Sequence, residues 1–299
     1  MSRDFPPCGV RGEARWYVTW SGKVRAGKFG SFTQATEIRQ CASCGIQRLA
    51  EAACKDESFY AGGEYRKLLG QGSSAASFYA EHDPLQLERL EVAGPHALRG
   101  RSVADIGCAG GSFLDHLRGL TSVAVAIEPA EQYHSVLSAK GYRVFSSIKA
   151  ASEWRRRIER AFCFSVIEHV ADPRAFLEEA RELLAPGGSL LVSTPNREDV
   201  LMGLLPDQYP AFFYRSVHRW YFDRDSLSRC AQAAGLEVAK LRCVHRFGLS
   251  NTLGWLRDRR PPGRAAVGAI DDPGVDAVWR AKLERDFRGD YLYATLVPT

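Results

Sequence analysis

The sequence predicts an α/β fold, a mostly parallel sheet with helices on both faces, preceded by a small cysteine-containing module. Three observations carry this reading. From residue 102 onward, short apolar strands alternate with amphipathic helices, the pattern of a parallel sheet covered on both sides. The segment Ala161 to Val166 runs apolar, as a central strand of such a sheet does. Residues 1–95 show no such alternation, yet hold Cys8, Cys41, Cys44 and Cys54, four of the eight cysteines.

Ser102 to Ile106 reads as the first strand and Ser122 to Ile127 as the second, with a helix from about Gly111 to Gly119 between them. A helix over Ala130 to Lys140 is stopped by Gly141, and Tyr142 to Phe145 follows as the third strand. After the fourth strand, Asp172 suits an N-cap and Pro173 the first helical position. Phe176, Leu177, Ala180, Leu183 and Leu184 form one stripe, and Pro186-Gly187-Gly188 stops the helix before a fifth strand at Ser189 to Ser193. An aromatic segment, 195–222, then interrupts the pattern. It is followed by a helix at Asp223 to Ala234, a strand from Leu236 into Phe247, an expected mobile excursion from Arg257 to Pro273, and a closing strand at Tyr291 to Val297. Upstream lie a Gly- and Ser-rich stretch, Gly70 to Ser74, and a helix at Leu85 to Val92. The predicted division is a lead-in over 1–95 and a main domain over 96–299, with 195–222 as an inserted lid.

With 40 Lys and Arg against 35 Asp and Glu, the 299-residue chain carries a net charge of +5. The densest basic clusters, Arg155 to Arg157 and Arg257 to Arg260, are short, which argues for solvated faces over a nucleic-acid partner. No apolar run, the longest being Ala161 to Ile167, approaches the roughly 18 residues of a membrane helix, and Met1 to Pro7 has no signal-peptide core. These features predict a cytoplasmic protein with reduced thiols and no membrane partner.

The most informative stretch is Val103-Ala104-Asp105-Ile106-Gly107-Cys108-Ala109-Gly110-Gly111-Ser112-Phe113, a strand running into a loop of small residues and then a helix. Ala109 stands where a dinucleotide loop needs its second glycine, and the lysine of a phosphate loop is missing. Asp105 would repel phosphate but suits a ligand ammonium group. Glu128 ends the second strand about 20 positions on, where a carboxylate can accept hydrogen bonds from both hydroxyls of an unphosphorylated ribose. An ammonium group and a free ribose without phosphate describe S-adenosylmethionine.

On these residues the sequence resembles the class I S-adenosylmethionine-dependent methyltransferases. The likeness continues through Phe164-Ser165-Val166-Ile167-Glu168-His169-Val170-Ala171-Asp172-Pro173 and Leu184-Ala185-Pro186-Gly187-Gly188-Ser189-Leu190, which look like motifs of the small-molecule branch. The resemblance implies a Rossmann-like seven-stranded sheet with its last strand antiparallel. It implies a donor site of Asp105, Gly107, Cys108, Gly110, Glu128 and Ser165, with Tyr79 as an aromatic closing the pocket. Where the family often has Asp after the third strand, near the adenine, this chain has Ser146 and Ser147.

The acceptor belongs at the loops after strands four and five, where His169 and His218 fall. Either suits a general base; for His169 a structural hydrogen-bonding role is the equal alternative. Tyr209, Phe212, Phe213, Tyr214 and Trp220 around His218 fit a lid over a polar ring, or equally an ordinary core. The stretch Arg246 to Leu256 is similar to one in methyltransferases of surface sugars and glycosylated natural products. The function implied is methyl transfer to a small polar acceptor, foremost O-methylation of a sugar or glycosylated natural product. N- or C-methylation, an RNA substrate, and a non-enzymatic sensor or scaffold are the alternatives.

Cys41-Ala42-Ser43-Cys44 is a knuckle of metal-ligand spacing, and Cys8 looks like a first knuckle whose second cysteine has become Arg11. This resembles the zinc-ribbon module ahead of some bacterial sugar methyltransferases and implies zinc on Cys8, Cys41, Cys44 and Cys54. The lost cysteine leaves a zinc site and a metal-free relic equally open.

Overall fold

The computed structural model describes residues 5–299 apart from 11, 13, 14, 28, 29, 57, 58, 61, 63–67, 69–74 and 263–266. Arg11, the Gly70 to Ser74 stretch and part of the Arg257 to Pro273 excursion therefore lie outside the described residues. The chain forms two compact units. One comprises Met1–Cys54, Thr194–Leu227 and Leu241–Tyr293; the other comprises Lys55–Ser193, Ser228–Lys240 and Ala294–Thr299. The expected division at 95/96 is not where these units part.

In the first unit, β1 (Trp16–Arg25) and β2 (Phe32–Cys41) form a long antiparallel hairpin, and β3 (Gln47–Leu49) adds to the edge of β2. Such a hairpin buries too little to stand alone. The sheet is completed from far along the chain. Following α1 (Ala75–Ala93) and the elements of the second unit, β9 (Trp220–Tyr221) pairs with β3 through Gln47↔Tyr221 and Arg48↔Trp220. Val24, Ile38 and Leu49 share one core with Tyr214 and Tyr221, so the amino-terminal strands and the 195–222 segment pack together. The Tyr214 hydroxyl donates to Gln47 Oε1 at 2.9 Å, satisfying two buried polar groups across that junction.

The second unit carries the alternating pattern. Strands β4 (Ser102–Ile106), β5 (Val123–Ile127), β6 (Arg143–Phe145), β7 (Ile158–Phe164) and β8 (Leu184–Pro195) alternate with α2 (Ser112–His116), α3 (His134–Ala139) and α4 (Pro173–Leu183). With β10 (Leu236–Val244) and β11 (Tyr291–Pro298), they form a seven-stranded sheet in the order β10-β11-β8-β7-β4-β5-β6, its last strand antiparallel. At α4 the Asp172 carboxylate accepts hydrogen bonds from the amides of Arg174 and Ala175 at 2.9 and 3.0 Å, and Pro173 occupies the first turn. The Pro186-Gly187-Gly188 stop is absorbed as an irregularity of β8, where Ile158 pairs with Leu184 but Arg160 with Ser189.

The sequence reading missed several elements. Helix α1 continues upstream through Pro84, although that residue supplies no N–H to the helical ladder. The 195–222 segment contains α5 (Val200–Leu204) and α6 (Tyr209–Phe213), whereas α7 (Arg224–Ala233), which follows it, is the helix predicted at Asp223 to Ala234. Helix α8 (Leu249–Asp258) ends inside the expected excursion, and α9 (Pro273–Arg285) begins at its far end, capped by Asp272. Leu201, Leu205, Tyr209 and Trp255 pack together as a second core. Among the described residues no helix is long and apolar enough to cross a membrane.

Candidate donor site and cysteine cluster

β4 and β5 are parallel neighbours in register, Asp105 opposite Ala126 and Ile106 opposite Ile127, so their following loops emerge side by side. The Gly107 amide donates to the Ile127 carbonyl at 2.7 Å and ties the two loops together. Gly107 and Gly111 both have φ of +79°, and a Cβ at Gly107 would come within 2.4 Å of Val166 Cγ2. Ala109 (φ 48°) and Ser165 (φ 57°) are non-glycine residues in the left-handed region, local strain of a kind that collects at functional sites.

These loops border a cavity of about 630 Å³ whose lining includes Asp105, Gly107, Cys108, Glu128, Ser165 and His169. Asp105 is buried, and that burial pushes its carboxyl up to about 7 against the opposing pull of Arg89, with Glu128 adding to the rise. Glu128 is also buried and accepts the amide hydrogens of Ala109 at 2.7 Å and Ala130 at 2.8 Å, one on each oxygen. A carboxylate oxygen can accept more than one hydrogen bond. A buried acid, a carboxylate with acceptor capacity and a loop held open by glycine together fit the ammonium group and ribose of S-adenosylmethionine. Burial raises the Cys108 thiol well above its ordinary value.

Three predicted residues, Tyr79, Gly110 and His218, are absent from this lining. Tyr79, expected to close the pocket, does not line it; its hydroxyl donates to the Gly110 carbonyl at 2.9 Å. Lys140 Nζ donates to both, at 2.6 Å to the hydroxyl and 3.1 Å to the carbonyl, so Tyr79 and Lys140 brace Gly110, itself absent from the lining. The aromatic rings that do line the cavity include Tyr60, Phe78 and Tyr133. His218 is buried in the first unit, its ring centroid 6.1 Å from that of Tyr221, and is not part of this lining. Tyr209, Tyr214 and Trp220 beside it are buried as well, and the first two belong to the cores already described, which favours the packing reading of the aromatic segment.

Sequence reasoning missed Arg89, whose guanidinium lies 4.8 Å from the centroid of Phe164, and Tyr60, whose hydroxyl is 3.3 Å from His169 Nδ1. Neither carries a local signal. Ser146 and Ser147, noted only as a departure from the family pattern, also line the cavity.

In the first unit, Cys8, Cys41 and Cys44 are buried with their sulfur atoms all within 4.8 Å of one another. The hydrogen bond with Cys8, then burial, raises the Cys44 thiol. Cys54 is not part of the group: its thiol donates to the carbonyls of Ala50 at 3.5 Å and Leu49 at 3.7 Å, and burial pushes it up to about 11. Among the described residues this cluster brings together three thiols.

Comparison with known proteins agrees with the geometry. The family described as methyltransferase domain matches residues 79–241. The chain is 30% identical over 162 residues to the ubiquinone biosynthesis O-methyltransferase of Dinoroseobacter shibae, covering 49% of this chain and 64% of that protein. It is 34% identical over 171 residues to the protein of that description from Xanthomonas campestris pv. campestris, covering 54% of this chain and 70% of the relative. A chain in the complex between the Haloferax volcanii Trm112 methyltransferase activator and a methyltransferase shares the fold, with a TM-score of 0.50 at 16% identity over 74% of this chain and 96% of that one. The chain belongs to the methyltransferase domain family and is an S-adenosylmethionine-dependent methyltransferase.

Proposed function

We propose that this enzyme methylates an oxygen, the ring hydroxyl of a small quinone-related acceptor, with His169 as the base. The observation that carries the chemistry is the position of His169: it follows β7, lines the donor cavity, and has the Tyr60 hydroxyl 3.3 Å from Nδ1. When bound, S-adenosylmethionine supplies an electrophilic methyl group on a sulfonium. Asp105 and Glu128 would hold its ammonium group and ribose, so that most of the acceleration comes from orientation. As the acceptor oxygen takes the methyl, His169 would receive the hydroxyl proton, a contribution of typically about 100- to 10,000-fold.

The choice of ring hydroxyl rests on the names of the relatives, which are O-methyltransferases of ubiquinone biosynthesis. The sugar acceptor expected from Arg246 to Leu256 finds no counterpart in the names of these relatives. The test is S-adenosylhomocysteine release from the full chain against a panel of catechols, sugars, amines and RNA. Turnover confined to hydroxylated rings, and lost in His169→Gln, is the expected result. Turnover with sugars alone would return the acceptor to a carbohydrate, and turnover with amines or RNA alone would overturn O-methylation.

A further inference from the structure

The donor cavity lies where β4 and β5 end. At the opposite edge of the same sheet, where β7 and β8 begin and β11 ends, lies a second cavity of about 530 Å³ whose lining includes Arg155, Arg156, Arg181 and Glu182. Every residue of that lining belongs to the second unit.

The backbone places two of these arginines. Arg156 has φ of +55°, a left-handed conformation that strains a non-glycine residue, and its amide donates to the Glu182 carbonyl at 2.9 Å. That bond fastens the turn before β7 to the end of α4. Arg181, in the last turn of α4, donates from Nη1 to the Ala234 carbonyl at 2.7 Å. Gly235, with φ of +71°, makes room for it, because a Cβ there would collide with Nη1. One guanidinium N–H is thus pinned to the backbone, which orients the rest of the fork.

The charges in the cavity do not cancel. Glu182, the carboxylate side chain of the lining, is paired with Arg155. Neither Arg156 nor Arg181 forms an ion pair among the described residues. Leu184, Pro186, Val297 and Pro298 supply an apolar wall. Two guanidinium groups without acid partners match a doubly charged oxyanion, and a phosphate monoester carries about −1.5 to −2 near pH 7 with three acceptor oxygens. The apolar wall suits an organic body attached to that phosphate.

We infer that this cavity is a binding site for a small organic phosphate monoester, with Arg156 and Arg181 holding the phosphate and Leu184, Pro186 and Pro298 facing the organic body. The site is separate from the donor cavity and independent of which acceptor is methylated.

The test is calorimetry on the full chain with phenyl phosphate as the probe, beside inorganic phosphate and citrate. One phenyl phosphate per chain is expected, bound about tenfold more tightly than inorganic phosphate because its ring is buried. The affinity should be the same with and without saturating S-adenosylhomocysteine. Arg156→Gly removes the guanidinium and relieves the backbone strain, so the melting temperature should hold or rise while phenyl phosphate affinity falls about 10- to 100-fold. Arg181→Gln should weaken binding by a similar factor. Arg174→Gln, at an arginine of α4 that pairs with Glu178 outside the cavity, should bind as wild type. Binding that survives Arg156→Gly, that S-adenosylhomocysteine abolishes, or that Arg174→Gln weakens equally would overturn the assignment. Tighter binding of citrate would overturn it in favour of a polycarboxylate, and displacement of phenyl phosphate by phosphatidic acid vesicles in favour of a lipid headgroup.

Discussion

One oxygen of Glu128 accepts the amide hydrogen of Ala109 at 2.7 Å, so the acidic end of β5 holds the glycine loop from below. Glu128→Ala removes this acceptor and the one serving Ala130. A hydrogen bond to a charged group contributes about 1.5–3 kcal/mol, so donor affinity should fall about 10- to 100-fold. Calorimetry with S-adenosylmethionine measures it, and unchanged affinity would remove Glu128 from the donor site.

Asp105 gives donor binding a pH dependence. Its folded-state pKa of about 7 lies above the ordinary carboxylate value because burial disfavours the ion. This group's contribution to folding stability therefore declines as pH rises from the ordinary range through about 7, then levels off. Binding of a ligand ammonium group runs the opposite way, because it needs the ionised form. Affinity should rise by up to about tenfold per pH unit below 7 and flatten above it, with a proton released on binding. Asp105→Asn should abolish this slope; a variant that retains it would place the titrating group elsewhere.

Gly107→Ala combines a left-handed backbone with a Cβ 2.4 Å from Val166 Cγ2. The conformational strain alone costs about 1–3 kcal/mol. A lowered melting temperature should accompany weakened donor binding. A variant as stable as the parent would mean that the loop relaxes freely.

For His169→Gln, a fall in kcat of about 100- to 10,000-fold is expected from loss of a positioned base. Tyr60→Phe should cost less, about 2- to 12-fold, the worth of one hydrogen bond. It should also move the limb of the pH–rate profile that reports His169. A profile that stays in place would reduce Tyr60 to a wall of the cavity.

The features legible in the sequence are those written locally. The start of α4 is stated by Asp172 and Pro173 alone, and Asp105 and Glu128 meet because they end consecutive parallel strands. Features fixed by distant packing were not legible. β1 has a mixed burial pattern, and two-residue β9 is a strand only because β3 offers it an edge. Spacing could group Cys54 with the other cysteines but could not show that its sulfur faces its own turn. Tyr209 and Tyr214 read equally well as lid or core until Trp255 and Leu49 appear beside them.

The pairing of Gln47 with Tyr221 has a consequence for synthesis. As the chain leaves the ribosome, the hairpin emerges early but its outer edge stays bare until Trp220 and Tyr221 are made. Through that interval it offers unpaired amides and carbonyls to any passing strand. A fragment ending at residue 95 would keep that exposed edge permanently, so expression of the amino-terminal portion alone should yield aggregates rather than a small folded domain.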